Sequence, residues 1–466
     1  MSDVAFLPIT ELSRRIEAGS LDPVALIDAF LTRVDGIGHP LNCFVSLDRA
    51  GAIAAAQVAS RRAAQDKRLG PLDGIPVAVK DNIDVAGLAT TNGFGGPYAP
   101  ATADAPVIAH LKAAGAVILG KLNMQEGALG GVTDNAHHGR TTNPYRDGYT
   151  PGGSSGGSGA AVAAGLCAAA LGTDTGGSVR IPAAYCGVVG FKPSYGLVST
   201  RGVVPLSRRL DHVGPLTRSV PDAALMLRAM ALGKTNDRVA SNRDAIDTAT
   251  PAPRTIAQTR FGVLINLEQE KAEAAVLHHF AAALERLRRH GAKIRSLAMP
   301  SYDPARARRA VFMRVEIEAA AEHGALYRTQ PERFSHEMRG YLDWGLRAPA
   351  VRLVEADRFM EAATSELAAC FDEVDLIVSP STPQGAFPFS QKVPDNQGGY
   401  CVLANIAGCP AISVPMGVDD QGLPIGLQIM GPRGDDERVL AIAAAYECLA
   451  GCTLTPPPPY GPSAGS

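Results

Sequence analysis

Three short stretches of this sequence carry side chains that could do acyl-transfer chemistry. Two are clusters of glycine and serine: Pro151 to Gly159 reads PGGSSGGSG, with Ser154 and Ser155, and Thr175 to Ser178 reads TGGS. The third is GIPVAVKDN, in which Lys80 follows the apolar run Ile75 to Val79 and precedes the polar turn residues Asp81 and Asn82. Serine hydroxyls can attack a carbonyl or pass a proton on. Glycines let several backbone N–H groups converge on a developing oxyanion. A lysine at the end of a buried strand pays to keep its charge, so its pKa falls and the free amine becomes available as a base. Alone, each stretch has a bland explanation: GGSSGG is ordinarily a flexible turn, and a strand-end lysine ordinarily reaches out to solvent. As a phosphate cradle the cluster lacks both the GK[ST] ending and a GxGxxG order after a strand.

The elements that must position these groups follow from local pattern. Apolar spacing from Ile9 to Gly36, broken at Gly19 and restarted at Asp22-Pro23, predicts two helices, and an alanine-rich helix follows from about Asp48 to Lys67. Ile75–Val79 reads as strand, Asp104–Gly115 as helix and Ala116–Leu119 as strand, a succession that builds a parallel or mixed sheet. Residues 135–149 read as loop. The alanine-rich segment between the two glycine–serine clusters reads as a helix packed tightly against other backbone, and short strands are expected at Gly187–Phe191 and Gly196–Val198.

Asn236–Pro253 is polar and reads as a linker. Beyond it Phe261–Ile265, Glu268–His290 and Ala292–Leu297 read as a βαβ unit. Pro304–Glu373 reads as mostly helical and as a cap beside the site. Asp375–Ser379 reads as strand, and Ala411–Pro415 with Ile425–Met430 as a hairpin turning at Asp419–Gly422.

Bulk properties narrow the function. With 466 residues, 46% of them hydrophobic, the chain can bury a large core. The net charge of -2 and the dispersed basic residues give no footprint for nucleic acid, so a small, near-neutral substrate fits better. Eight scattered cysteines lack the spacing of a disulfide scaffold or a zinc ribbon, and read as reduced core thiols. The adjacent pairs His137-His138 and His278-His279 have no matching carboxylate spacing, and neither a metal nor another cofactor is expected. The N-terminal residues have no signal-peptide pattern and no apolar run is long enough to span a membrane, which makes the cytoplasm the expected location. A homodimer is compatible with these properties.

Taken together, PGGSSGGSGAAVAAG, LGTDTGGSVRIPAAYCGVVGFKPSYG, GIPVAVKDN, GKLNMQE (Gly120–Glu126), DHVGPLTRS (Asp211–Ser219), GCPAISVPMG and GLPIGLQIMG closely resemble the amidase signature family, over nearly the whole chain. The resemblance implies an α/β fold, a single α/β/α sandwich around a large mixed β-sheet. It would occupy residues 1–466 as one domain, with the signature core at about 70–220 and a helical cap or pocket region at about 300–375. It implies a triad of Lys80, Ser154 and Ser178, with a cis peptide at Gly153–Ser154. In the implied mechanism Ser178 is the nucleophile, Ser154 the proton relay and Lys80 the base. Backbone N–H groups of Thr175, Gly176, Gly177 and Ser178 would form the oxyanion hole, where losing one donor typically costs roughly 3 kcal/mol. Ser155, Asp174 and Arg180 would support the loop.

The expected reaction is hydrolysis of a small-molecule amide to an acid and ammonia or an amine. The family also includes the glutaminase-type component of tRNA-dependent amidotransferases and enzymes that cleave carbamates or esters, and the triad alone does not separate these. A non-catalytic binding protein is disfavoured by the intact triad. Specificity is expected from 123–138, 304–350 and 382–400. Arg352 and Arg358 are candidates for holding a substrate carboxylate; the plainer alternative is that both lie on a helix surface.

Overall fold

The computed structural model describes residues 2–231 and 255–462, so the linker expected at Asn236–Pro253 lies outside the described residues. Thirteen strands occur in the described chain: β1 Phe44–Leu47, β2 Pro76–Lys80, β3 Val117–Leu122, β4 Asp134–Asn135, β5 Gly139–Arg140, β6 Ala169–Asp174, β7 Val189–Lys192, β8 His212–Thr217, β9 Arg260–Leu264, β10 Lys293–Leu297, β11 Leu376–Pro380, β12 Ala411–Val418 and β13 Pro424–Met430. Eleven of them form one mixed sheet in the order β1-β3-β2-β6-β8-β7-β12-β13-β11-β9-β10, while β4 and β5 pair as a small ribbon. The fold is α/β, built on a large mixed sheet.

Both faces of the sheet are covered, and the period of two along each strand shows how. Every residue of β2 is buried. Val77 and Val79 enter one apolar cluster, shared with Met226 and Tyr446, and Ala78 enters another, shared with Ala160 and Val162. β6 repeats the pattern, with Ala169 and Leu171 on the first side and Ala170 on the second. The helix Gly156–Ala163 is buried along its full length. Its glycines are what permit that, because a Cβ at Gly157 would come within 2.4 Å of the Asn123 carbonyl oxygen. A third cluster joins the helices Pro304–Thr329, His336–Arg347 and Ala350–Glu373 through Val311, Leu342 and Met360.

Local signals were reliable at the two helix starts capped by aspartate. Asp22 accepts from the N–H groups of Val24 and Ala25 at 2.7 and 3.3 Å and opens Pro23–Arg33; Asp48 accepts from Gly51 at 3.0 Å and opens Arg49–Ala64. The βαβ unit also forms, with β9 and β10 parallel, and β12 with β13 makes the expected hairpin. Several expectations need correction. The alanine-rich segment is helix only over Gly156–Ala163 and then becomes the buried strand Ala169–Asp174, and the loop expected at 135–149 contains half of the small ribbon. Gly196–Val198 is a turn, with Gly196 at φ 81° and the Leu197 N–H donating to the Ser194 carbonyl, so no ladder can continue there. The helix expected from Glu268 begins at Ala274 instead, since Ile265–Glu270 winds as a 3-10 turn that Lys271 ends in the left-handed region at φ 50°. Residues 212–217, given no element by pattern, form the buried strand β8 between β6 and β7. Gly214 and Pro215 hide that strand, being poor strand formers by themselves.

Candidate active site

The site begins where two parallel strands end together. The register of β2 on β6 pairs Val77 with Ala169 and Val79 with Leu171, which brings Lys80 beside the last residues of β6. Crevices outside the carboxyl ends of parallel strands are where open α/β sheets bind ligands. Lys80 is fully buried, and its Nζ donates to Ser154 Oγ at 2.7 Å and to Thr173 Oγ1 at 2.8 Å. Burial pulls its pKa down to about 7, although the charges of Asp174 and Asp211 pull the other way. Near neutrality a large fraction of this amine is therefore uncharged and hydrogen-bonded to a serine hydroxyl.

The peptide joining Gly153 to Ser154 is cis. Gly153 is enclosed by backbone, since a Cβ there would come within 2.7 Å of Gly131 C and Val132 N. Ser155 ties this segment to β6: its Oγ donates to the Thr173 carbonyl at 3.2 Å and accepts from the Thr173 N–H at 3.3 Å. The Ser155 N–H donates to the Ser178 carbonyl at 3.3 Å, which sets the two serine segments side by side. Ser154 is fully buried, while Ser178 and Gly176 are partly exposed. The dry end of the constellation thus holds the amine, and the wet end holds the hydroxyl of the TGGS loop.

That loop is stapled from below. Asp174 and Arg180 are both fully buried and form a bidentate pair, Arg180 Nε to Asp174 Oδ2 at 3.0 Å and Nη2 to Oδ1 at 2.9 Å. The same carboxylate accepts the N–H groups of Gly177 at 2.8 Å and Val179 at 3.1 Å, and Asn405 Nδ2 at 2.8 Å. Arg180 spends its other donors on the Cys401 carbonyl, Gln428 Oε1 and Asn405 Oδ1. Burial opposes the Asp174 charge, yet the Arg180 guanidinium outweighs it and holds the carboxyl well below the usual range. Arg180→Met should therefore strand a buried carboxylate and lower stability by about 3–5 kcal/mol, read as a drop in the denaturant midpoint. A midpoint within error of the parent would show that the pair does not hold the loop.

Of the sequence-predicted residues, Lys80 meets Ser154 through side chains, Ser178 lies beside them through its backbone carbonyl, and one expected oxyanion donor is otherwise engaged. The Gly177 N–H already donates to Asp174, so of the four donors expected for an oxyanion it is the one turned inward; among the described residues the N–H groups of Thr175, Gly176 and Ser178 have no such tie. Gly177 sits at φ 127°, a conformation that favours glycine, and a Cβ there would press on Cys401 at 2.8 Å. Several participants escaped sequence reasoning. Thr173 is the second acceptor of Lys80 and also accepts from Asn82 Nδ2 at 3.0 Å. Asp211 receives the Thr175 hydroxyl at 2.6 Å and two backbone N–H groups, from Leu206 and Ser207, and burial raises its pKa to about 6. Asn405 and Gln428 come from the far end of the chain. Thr173, Asp211 and Gln428 lie inside stretches that carry the family resemblance, but nothing in those stretches singles them out.

Arg352 and Arg358 are exposed on the helix Ala350–Glu373, in keeping with a place on the helix surface. His137 and His138 face different partners, Glu126 at 3.4 Å and Thr91 Oγ1 at 3.1 Å, and His278 and His279 lie ring against ring on a partly exposed helix. All eight cysteines are free thiols.

Comparison with known proteins bears on the family and the fold. The Amidase family model matches residues 25–440. The chain is 37% identical to the A component of the glutamyl-tRNA(Gln) amidotransferase of Chloroflexus aurantiacus, over 96% of this chain and 98% of that protein. Among solved structures it is similar to the native peptide amidase of Stenotrophomonas maltophilia, with TM-score 0.84, 32% identity, and 97% and 98% of the two chains covered. It is also similar to the corresponding amidotransferase component of Thermotoga maritima, with TM-score 0.80, 31% identity, and 95% and 94% covered. From the lysine-to-serine contact at the strand ends to the match along its length, this chain belongs to the amidase signature family.

Proposed function

We propose that the chain, acting as one catalytic unit, hydrolyses small-molecule amides through an acyl-enzyme on Ser178. The observation that carries this reading is the buried Lys80 amine, held to a pKa of about 7 and donating to Ser154 at 2.7 Å. Ser178 Oγ attacks the carbonyl carbon; its proton passes to Ser154, which gives its own to Lys80. The C–O bond forms, and the carbonyl oxygen becomes an oxyanion received by the N–H groups of Thr175, Gly176 and Ser178. Gly177, bound to Asp174, keeps the loop in shape. When the oxyanion collapses the C–N bond breaks and the amine leaves with a proton returned through Ser154. Water then repeats the sequence on the ester and releases the acid.

A second reading has a specific observation in its favour: the identity of 37% to an amidotransferase component, over almost the full length of both chains. On that reading glutamine is the ammonia source and further protein components are needed. The purified chain separates the two readings by ammonia release. Turnover of acetamide or a simple aryl amide by the chain alone is expected. Activity confined to glutamine, and seen only with those further components present, would replace the first reading by the second.

A further inference from the structure

Resting on the amide-hydrolase reading, we infer that Thr133 is a positioning residue for the proton relay, its hydroxyl fixing where Ser154 lies against Lys80. Thr133 is fully buried and sits in the left-handed region at φ 56°. A β-branched residue is strained there, and glycine or asparagine would adopt that backbone at less cost. What threonine adds is a hydroxyl, and this one has two partners. It donates to the Gly152 carbonyl at 2.8 Å and accepts from the Gly156 N–H at 3.1 Å. Those groups lie on either side of Ser154 in the chain. The hydroxyl is thus a clip across the turn that carries the relay serine.

The segment 125–134 is fitted to the same turn at further points. The Ser154 carbonyl accepts from the Gln125 N–H at 3.0 Å, and Gln125 Oε1 in turn accepts from the Asp134 N–H at 3.1 Å, next to Thr133. The Thr133 carbonyl accepts from the Thr141 N–H at 3.1 Å, which ties the residue down from its other side. A Cβ at Gly156 would collide with the Thr133 hydroxyl, so glycine at that position is what lets the clip close. Thr150 makes a similar bridge, donating to the Val132 carbonyl at 2.7 Å and accepting from the Gly152 N–H at 2.9 Å, but neither of its bonds reaches beyond Ser154. Without the Thr133 hydroxyl, the Gly152 carbonyl and the Gly156 N–H lose a buried partner and the turn must shift to find others. Ser154 would move with it, away from its 2.7 Å contact with Lys80.

The test uses purified enzyme with p-nitroacetanilide and p-nitrophenyl acetate, which share an acyl group and differ in what leaves. Acylation by the anilide needs the relay twice, to take the Ser178 proton and to protonate the departing amine, whereas the nitrophenolate leaves without a proton. Thr133→Val is expected to lower kcat/KM about a hundredfold for the anilide and only about tenfold for the ester. Thr133→Gly removes the same hydroxyl in a backbone conformation that glycine accepts, and it carries the test if the valine variant does not fold. Thr133→Ser keeps the hydroxyl and should hold the parent's anilide-to-ester ratio. Thr150→Val should hold that ratio too, whatever its effect on the melting midpoint. Equal scaling of both substrates in the variants without the Thr133 hydroxyl, or a ratio that falls as far in Thr133→Ser or Thr150→Val, would overturn the assignment. Loss of the hydrolase reading itself looks different: the parent enzyme would turn over neither substrate.

Discussion

Ser178→Ala is expected to reduce amide turnover by about five orders of magnitude while leaving the fold unchanged. The loss is large because the proposed chemistry has no second nucleophile: Ser154 and Ser155 are fully buried, one bonded to Lys80 and the other to the Thr173 backbone. The fold should survive because the tie from Ser178 to its neighbours runs through its backbone carbonyl, which accepts from the Ser155 N–H, and alanine keeps that group. Steady-state ammonia release and a thermal unfolding curve check the two halves separately. A variant with a native melting curve and more than about a hundredth of the parent rate would remove Ser178 from the mechanism.

Lys80→Met should lose about two to four orders of magnitude in kcat, the usual range for a positioned base, and it carries a pH signature that a merely structural residue would not. Methionine is chosen because it roughly preserves the buried volume. In the parent, kcat/KM should rise with pH through a midpoint near 7, as the Lys80 ammonium loses its proton, and then level off. Lys121 and Lys192 are also fully buried; burial lowers the pKa of Lys121, and burial with the neighbouring Arg180 holds Lys192 at about 7, so Lys192 titrates in the same window. The variant separates them. Its residual rate should lack the limb near neutrality and climb only at high pH, where hydroxide replaces the missing base. A limb that persists in Lys80→Met belongs to another group, of which Lys192 and Asp211 are the buried ones nearest that range.

The same shift has a sign for stability. With a folded pKa near 7 against an ordinary 10.5, Lys80 binds fewer protons folded than unfolded between those values. Its contribution therefore becomes more favourable as pH rises from 7 to 10.5 and is lost as pH falls back toward 7. Denaturant midpoints across that window should climb less steeply in Lys80→Met than in the parent.

Side-chain type and short-range spacing were enough to determine the parts of this protein whose physics is local. Asp22 and Asp48 cap helices because a short carboxylate just before a helix reaches the free N–H groups of the first turn. The glycine–serine clusters mark unusual backbone because few other residues tolerate it, and family resemblance then linked them to Lys80. What needed the tertiary structure was everything that depends on which strands lie side by side. The parallel register of β2 on β6 puts Thr173 against Lys80 across 93 positions of chain, and the chain's far end supplies Asn405 and Gln428 to the Asp174–Arg180 staple. The inward turn of the Gly177 N–H and the strand at His212–Thr217 belong to the same class. Desolvation is the common reason. A lysine becomes a base, and a carboxylate a fixed anchor, only once packing has removed water from around it, and that packing is contributed by segments with no sequence proximity to the groups they bury.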